Sequence, residues 1–347
     1  MKTGWATTPL DYGKCPKWLF ERMKKLGGIV AELIIEEYGE EEFLKRISHP
    51  VWFQSLGCLL AFDWNSSGLT VVLTAALKEA FKERNLGIYI AGGKGKTSRK
   101  TPEELLLIGE KTGLDGEKYS RLSKLVAKID NSLIQDGFNL YHHVFILTKK
   151  GSWAVIQQGM NTSLSLARRY HWYNPQNLIE EPHQGIASDI FLKKVLNLTA
   201  KESKENREGL IKVLEEPKII REMERLNNKR KISLFLDNIE FNYHPVVEEK
   251  FDIKRIQKSI EKAKFLQPKT LEDLLLIEGI GPKTIRALSL AVELIYGAKP
   301  SFNDPARYTF AHGGKDGTPY FVDRKTYDET IRIFKRALEI SKKRLIY

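Results

Sequence analysis

Cysteine and long apolar runs are both scarce in this sequence of 347 residues. Its two cysteines, Cys15 and Cys58, form neither a disulfide framework nor a metal-binding spacing. The start of the chain lacks the apolar run behind a basic segment that marks a secretory signal. No stretch approaches the length of a membrane span. We therefore expect a soluble, cytoplasmic protein with no membrane partner.

Negative charge is in deficit as well. Lys and Arg total 56 against 44 for Asp and Glu, which leaves a formal net charge of +12. A basic balance favours a polyanionic partner such as DNA. A hyperthermophile source would explain a high content of Lys and Glu, but it would not explain the imbalance between the two signs.

The clearest motif lies in residues 274–288. An apolar helix leads into two glycines, Gly279 and Gly281, which permit a tight turn and the close approach of another backbone. A second helix is predicted to begin at Pro282, because proline suits the first helical position. Ile280, between the glycines, is expected to fill the core between the two helices.

This pattern predicts a helix-hairpin-helix over residues 271–296, a motif that holds the DNA backbone without reading the base sequence. The first N–H groups of its second helix point outward with the positive end of the helix dipole, which favours a phosphate. A plain helical hairpin with a glycine turn is the structural alternative. The predicted DNA contacts in the motif are Gly279, Gly281, Lys283 and Thr284.

A glycine-rich basic loop follows a predicted strand at residues 86–90. It is not a nucleotide-binding P-loop, because the first glycine of that motif would fall at Ile90. The next helix is also predicted to begin at Thr101, too late for Lys96 and Thr97 to stand at its start. Exposed glycine backbone and cations instead predict contacts to a DNA backbone, with a solvated loop as the alternative. The four predicted contacts are Lys94, Lys96, Arg99 and Lys100.

The densest candidate chemistry lies in residues 119–161. Two β-rich runs around a Lys-Lys-Gly turn predict a hairpin that follows Asp130 and Asp136. Adjacent strand residues face opposite sides of a sheet, so only one of His142 and His143 can face the carboxylates. Antiparallel pairing brings one histidine, one of two neighbouring glutamines and both carboxylates toward one end of the sheet.

Two unpaired carboxylates in that place would repel each other, and a divalent cation would relieve the repulsion. Carboxylate and imidazole ligands suit Mn²⁺ or Mg²⁺, which stabilise the oxygens of phosphodiester cleavage. The alternative is that these polar groups only tie a loop to the hairpin. The predicted metal ligands are Asp130, Asp136 and His143. The predicted catalytic residues are Asp130, Asp136, His142, His143, Gln157 and Asp63.

Two further segments carry candidate residues. Basic and aromatic residues interleave around Arg168 and Arg169, which predicts contacts to phosphates and unpaired bases of DNA. Asp63 precedes a predicted helix, where polar residues are alternatively a helix cap. If the Asp130 and Asp136 region is not catalytic, Asp63 with Glu181 or His183 is the next candidate.

The chain is long enough for about two domains. Residues 1–195 are predicted to form an α+β domain, a small mixed or antiparallel sheet with helices that is the candidate nuclease domain. Residues 196–347 are predicted to form an all-α DNA-binding domain that contains the hairpin motif, because the sequence becomes strongly charged and helical beyond this boundary.

Six segments of the sequence carry a resemblance to a known family: His49–Cys58, Phe62–Gly68, Ala91–Pro102, Asp130–His143, Gln157–Asn161 and Asp304–Gly317. On these segments, nearly the whole chain resembles the DUF763 family, a prokaryotic and mostly archaeal family of unknown function. The resemblance implies a DNA-processing protein of the metal-dependent nuclease kind, and it assigns no residue roles.

Three functions are compatible with these motifs. The first is a metal-dependent, structure-selective DNA nuclease in DNA repair or processing. The second is a helix-hairpin-helix DNA glycosylase that uses Lys283 and Asp304, although Asp304 follows 21 residues later, about one helical turn beyond the expected spacing. The third is a non-catalytic DNA- or RNA-binding repair factor. The sequence does not determine the oligomeric state, for which a homodimer is one candidate.

Overall fold

The computed structural model describes residues 15–61, 67–188, 190–216, 219, 253–306, 328 and 331–339. Helices pack on both faces of an antiparallel sheet, so the α+β character expected from the sequence is confirmed. The predicted catalytic residue Asp63 lies outside the described residues. In the described ranges, no helix is long and apolar enough to cross a bilayer.

The first helical layer covers one face of the sheet. Its helices are α1 (Lys17–Tyr38), α2 (Glu40–Ser48), α3 (Pro50–Leu59) and α4 (Gly68–Glu83). Their apolar residues recur at helical spacing and pack against alternate residues of the strands. Phe43, Phe53 and Leu73 thus share a buried cluster with Val144 and Ile156 of the sheet.

Five strands form the main sheet, in the order β1-β3-β4-β5-β6, and all neighbouring strands are antiparallel. Two short strands, β2 and β7, pair separately from it. The strands are β1 (Ile88–Lys94), β2 (Ile134–Gln135), β3 (Asn139–Thr148), β4 (Trp153–Asn161), β5 (Leu166–Tyr173), β6 (His183–Ala187) and β7 (Leu196–Asn197).

The hairpin predicted from the two β-rich runs is confirmed as β3 and β4. His143 lies opposite Gln157 in the ladder, and His142 lies opposite Gln158. Because successive strand residues face opposite sides, His143 and Gln157 belong to one face and His142 and Gln158 to the other. The hairpin therefore divides the four candidate residues between two separate layers of the protein.

The second helical layer packs on the opposite face. Its α-helices are α5 (Lys96–Arg99), α6 (Thr101–Thr112), α7 (Gly116–Lys128), α8 (Lys204–Glu215), α9 (Ile253–Leu266), α10 (Leu271–Leu276) and α11 (Pro282–Tyr296). A π-helical turn, Ile129–Leu133, continues α7, and a short 3-10 turn, Lys201–Ser203, precedes α8.

One buried cluster joins residues from both sides of the predicted boundary at 195/196. Phe145 and Trp172 of the sheet belong to the same cluster as Leu210 of α8 and Leu288 of α11. Apolar burial across the boundary is the main force that holds these parts together. The division of the chain into two domains stays a prediction.

Helices α8 and α11 pack closely because Gly209 has no side chain at their contact. A Cβ atom there would overlap Cγ1 of Val292 and lie 3.0 Å from its Cγ2. Next to this contact, Ser289 Oγ donates a hydrogen bond of 2.8 Å to Asn206 Oδ1. The glycine thus sets how closely the two helices approach.

We expect Gly209→Ala to destabilise the protein, although alanine favours a helix over glycine by about 1 kcal/mol. Overpacking typically costs about 1–3 kcal/mol and should outweigh that gain. Denaturant unfolding measures the effect. Because Val292→Ala removes the overlapping methyl groups, the double variant should show a favourable coupling energy. A Gly209→Ala variant that is more stable than wild type would contradict this account.

Candidate functional site

Asp130 lies in the π-helical turn at the end of α7. Its side chain is fully buried and accepts hydrogen bonds from three other side chains. Gln157 Nε2 donates to Oδ2 over 2.5 Å, Trp172 Nε1 donates to Oδ2 over 2.8 Å, and His183 Nε2 contacts Oδ1 over 2.5 Å. These donors stabilise a carboxylate that water does not reach. Single π-helical turns occur frequently at functional sites.

His143 extends the same network through Gln157. Its Nδ1 lies 2.8 Å from Gln157 Oε1, and its Nε2 lies 2.8 Å from Ser123 Oγ. Because Gln157 Oε1 only accepts, Nδ1 carries the proton and Nε2 accepts from the hydroxyl. Burial lowers the pKa of His143 to about 4, so the ring is neutral near pH 7. Both of its nitrogens are therefore engaged inside the protein.

Asp136 belongs to a second network, which is centred on Arg168. Asp136 Oδ2 accepts from Arg168 Nη1 over 3.0 Å and from Tyr170 Oη over 2.7 Å. Arg168 also binds Asp304 through two parallel hydrogen bonds of 2.9 and 2.8 Å. Burial raises the pKa of Asp136, and the charge of Arg168 opposes that rise. The guanidinium thus lies between two carboxylates.

The premise of two unpaired carboxylates is therefore wrong, because Arg168 is the positive partner of Asp136. Of the three predicted metal ligands, Asp130 and His143 share one network through Gln157, whereas Asp136 lies in the other. Within the described ranges, no group of three or more His, Cys, Asp or Glu side chains is placed to hold a metal. These residues do not fit the predicted metal centre as they stand, and the metal stays a prediction.

The opposite face of the sheet carries a different set of polar side chains. His142 Nε2 lies 3.1 Å from Thr74 Oγ1, and burial lowers the pKa of His142 to about 3. Gln158 Nε2 donates to the carbonyl oxygen of Ser67 over 2.9 Å. His142 and Gln158 therefore join the sheet to α4 and lie away from Asp130.

Both arginines predicted to contact DNA are buried in strand β5. Arg168 is enclosed by the network just described. Arg169 donates to His171 Nε2 over 2.8 Å and to Gln54 Oε1 over 3.1 Å, and it lies over the ring of Phe53. Strand β5 is an interior strand that is covered on both faces, so neither guanidinium is exposed to a phosphate in this structure. The prediction of surface DNA contacts at these two positions is therefore corrected.

The predicted basic loop is partly ordered into regular structure. Strand β1 extends as far as Lys94, and the short helix α5 follows, whereas the whole segment was expected to be a loop. Glu104 holds the region in place by accepting from the backbone N–H of Gly92 over 2.9 Å. All four predicted cations are exposed, and none of them forms an ion pair with a described residue: Lys94, Lys96, Arg99 and Lys100.

The turn between α10 and α11 has the features expected of its sequence. Ile280 is fully buried, which confirms its predicted place in the core. Gly279 has a φ of +95°, a backbone conformation that favours glycine. Gly281 precedes α11 without a side-chain cap on the helix, and a Cβ atom there would meet nothing within 4 Å. The start of α11 is therefore open to a ligand from outside.

Two residues at the start of α11 differ in exposure. The side chain of Lys283 is exposed, as expected for a phosphate contact. Thr284 is 4% exposed, so its predicted side-chain contact with DNA is corrected, and only backbone at this position can face a ligand. Gln135 fixes the turn to the sheet region, because its Nε2 donates to the carbonyl oxygen of Pro282 over 2.9 Å. Lys128 Nζ also donates to the carbonyl oxygen of Ile280.

Sequence reasoning missed several members of the Asp130 and Asp136 networks. It named His183 only as a fallback candidate and assigned no role to Ser123. It placed Tyr170 and Trp172 in the segment predicted to contact DNA, whereas both side chains are fully buried. Strict alternation along β5 would have placed Arg168, Tyr170 and Trp172 on one face of a strand. The identity of their partners could not be obtained from that alternation.

A family model described as a protein of unknown function, DUF763, matches residues 4–322. The chain belongs to this family, which confirms the resemblance seen in its sequence. No curated protein matches the chain, and neither does any solved structure.

Arg168→Met should destabilise the protein by about 3–5 kcal/mol, because it leaves two buried carboxylates without a cation. Denaturant unfolding measures the loss. Arg121→Met is a matched control, since Arg121 and Asp273 form an exposed pair that should contribute less than about 1 kcal/mol. Adding Asp136→Asn and Asp304→Asn to Arg168→Met should restore part of the loss. Equal effects of the two Arg→Met substitutions would contradict this assignment.

Proposed function

We propose that this protein is a structure-selective DNA nuclease in DNA repair or processing, and that it binds DNA through the sugar–phosphate backbone. The observation that carries the DNA-binding part is the exposed group of four cations around α5. None of them is neutralised by a described carboxylate. Cations that approach phosphates release condensed counterions, which is the main source of binding that does not depend on base sequence.

The backbone around these cations also favours an anion. Gly93 and Gly95 have positive φ angles, and a Cβ atom at Gly95 would meet nothing within 4 Å. A phosphate can therefore approach the main chain closely at this point. Lys94 Nζ lies 5.8 Å from the ring centroid of Tyr141, so the aromatic ring helps to orient this cation.

The turn at residues 277–281 supports a second backbone contact. We interpret α10, this turn and α11 as a helix-hairpin-helix whose open N-terminus receives a phosphate. The exposed side chain of Lys283 adds positive charge beside it. On α9, Ser259 Oγ donates to the carbonyl oxygen of Gly279 over 3.1 Å, so the turn is also supported from its other side.

The glycosylase alternative fits the geometry less well. Its aspartate would be Asp304, whose side chain is 4% exposed and bound to Arg168 by two hydrogen bonds. Backbone N–H groups of Leu192 and Ala306 also donate to Asp304. An aspartate with these partners acts as a structural anchor. The non-catalytic alternative shares every DNA contact proposed here and differs only in the absence of a product.

Labelled single-stranded, duplex, bubble and flap DNA, incubated with Mg²⁺, Mn²⁺ or EDTA, tests the function. Cleavage that prefers one of these DNA structures supports the nuclease, and its loss in EDTA supports the predicted metal. Strand release at a modified base without metal supports the glycosylase instead. Tight binding of the DNA substrates with no product from any of them supports the non-catalytic repair factor.

We expect Lys96→Gln with Lys100→Gln to weaken DNA binding and to lower the slope of log K against log salt by about two. The melting temperature should stay nearly unchanged, because exposed charges contribute little to folding. Lys149→Gln with Lys150→Gln removes the same charge from the β3–β4 turn and serves as the control. Fluorescence anisotropy across a salt series measures the DNA affinity and the salt slope of each double variant. Equal slopes for the two double variants would contradict the proposed contact.

Gly281→Val should weaken the binding of every DNA sequence to a similar degree, because the added side chain occupies the space that the backbone of the ligand needs. A Cβ atom at this position meets nothing within 4 Å and the φ of Gly281 is −142°, so we expect the melting temperature to be retained. Gly281→Ala should have a smaller effect. Lys283→Ala should lower the salt slope by about one. Unchanged affinity in Gly281→Val would exclude a phosphate at this turn.

A further inference from the structure

His183 and Asp130 form a buried carboxylate–imidazole pair beside the surface. Their atoms, His183 Nε2 and Asp130 Oδ1, lie 2.5 Å apart. We propose that His183 is the catalytic proton acceptor of the cleavage reaction proposed above, and that Asp130 is its positioning residue. This inference rests on the proposed nuclease function and gives it an active site.

The tautomer of His183 follows from its partner. The Asp130 carboxylate has two other donors, Trp172 and Gln157, on its Oδ2 atom. Its Oδ1 atom accepts the N–H of His183 Nε2, so the lone pair of a neutral His183 ring is on Nδ1. A carboxylate that fixes the tautomer in this way leaves the opposite nitrogen ready to accept a proton.

The opposite nitrogen is also accessible. His183 Nδ1 has no hydrogen-bond partner among the described residues, and it is not one of the buried atoms that lack a partner. It therefore reaches the solvent, although the whole side chain is only 7% exposed. The ring of Trp172 packs edge to face against the His183 imidazole, with 4.6 Å between the ring centroids. This contact holds the plane of the imidazole in position.

Other histidines of the sheet lack this combination. Both nitrogens of His143 are bonded, to Ser123 and Gln157. His142 is buried against Thr74. The Nε2 atom of His171 accepts from Arg169, and burial lowers the pKa of His171 well below its usual value. His183 differs from all three because it has a carboxylate on one nitrogen and solvent on the other.

Charged residues beside His183 permit an anionic substrate to approach. The two preceding carboxylates are paired with cations, Glu180 with Arg207 over 2.5 Å and Glu181 with Lys201 over 3.4 Å. Their negative charge is thereby compensated. The side chain of Lys201 is 68% exposed, so the pair with Glu181 lies at the surface.

The segment before His183 is connected through hydrogen bonds to the turn before α11, where a DNA phosphate is proposed to bind. Glu181 N donates to Thr199 O over 2.9 Å, and Leu198 N donates to Leu133 O over 2.8 Å. The side chain of the neighbouring β2 residue Gln135 donates a hydrogen bond to the carbonyl oxygen of Pro282, the first residue of α11. The short β2–β7 pair therefore links the turn before α11 to the segment that carries the His183 imidazole.

The proposed step balances without a redox partner. A water oxygen attacks the phosphorus of the DNA backbone while its proton passes to His183 Nδ1. The bond between phosphorus and one sugar oxygen breaks, and that oxygen takes a proton from solvent. The imidazolium then releases its proton to solvent, which leaves a phosphomonoester and a sugar hydroxyl. General-base catalysis of this kind typically contributes about 10²–10⁴-fold to the rate.

The test compares His183→Ala, His183→Gln and Asp130→Asn with wild type in single-turnover cleavage of the preferred DNA. We expect His183→Ala and His183→Gln to lower the rate by about 10²–10⁴-fold with the DNA Kd retained. Added imidazole should restore part of the rate of His183→Ala, because the free base can occupy the vacated space. A histidine with only a structural role gives no such rescue. His49→Gln, in the other helical layer, should leave the rate unchanged.

Asp130→Asn should lower the rate of cleavage less than His183→Gln does, since it removes only the orientation of the ring. Near-wild-type cleavage by His183→Gln would overturn this proposal and leave the nuclease function in place. Loss of cleavage together with DNA binding, without imidazole rescue, would also overturn it and make the pair structural. No cleavage by wild type on any DNA would overturn both proposals.

Discussion

The guanidinium of Arg168 lies in the interior between Asp136 and Asp304, and much of the surrounding arrangement depends on it. A buried cation is tolerated only when its donors are satisfied, and Arg168 meets this condition with two carboxylates, Ser188 Oγ and the carbonyl oxygen of Ile190. Because Asp304 follows α11, this network connects the interior strand β5 to the end of the helical layer that carries the hairpin turn.

The Asp130 network lies on the same face of the sheet, but its carboxylate has different partners. Asp136 is saturated by an arginine and by Tyr170, which makes it a structural residue. Asp130 is held by neutral donors and by His183, and the network ends at an imidazole nitrogen that reaches solvent. Two carboxylates six residues apart thus differ in their surroundings, and for that reason we assign them different roles.

The proposed DNA contacts are separate from these buried networks. The cations around α5 and the turn before α11 lie at the surface, where charge can meet phosphates without the cost of burial. Arg168 and Arg169 show the contrast, since the same residue type is buried and paired inside the protein in strand β5. In this protein, composition alone does not separate a cation proposed to bind a ligand from one that stabilises the fold.

Local sequence patterns determined the β3–β4 hairpin, the turn with a buried Ile280 and the exposed cations of the basic segment. Each follows from spacing or backbone preference within a few residues. Only the tertiary structure decided that Asp136 pairs with Arg168, and that Arg168 pairs with Asp304, 136 positions further along the chain. It also decided that Asp130 meets His183 rather than Asp136. These contacts depend on which strands are neighbours and which faces are covered, and periodicity within a segment contains no information about its distant partner.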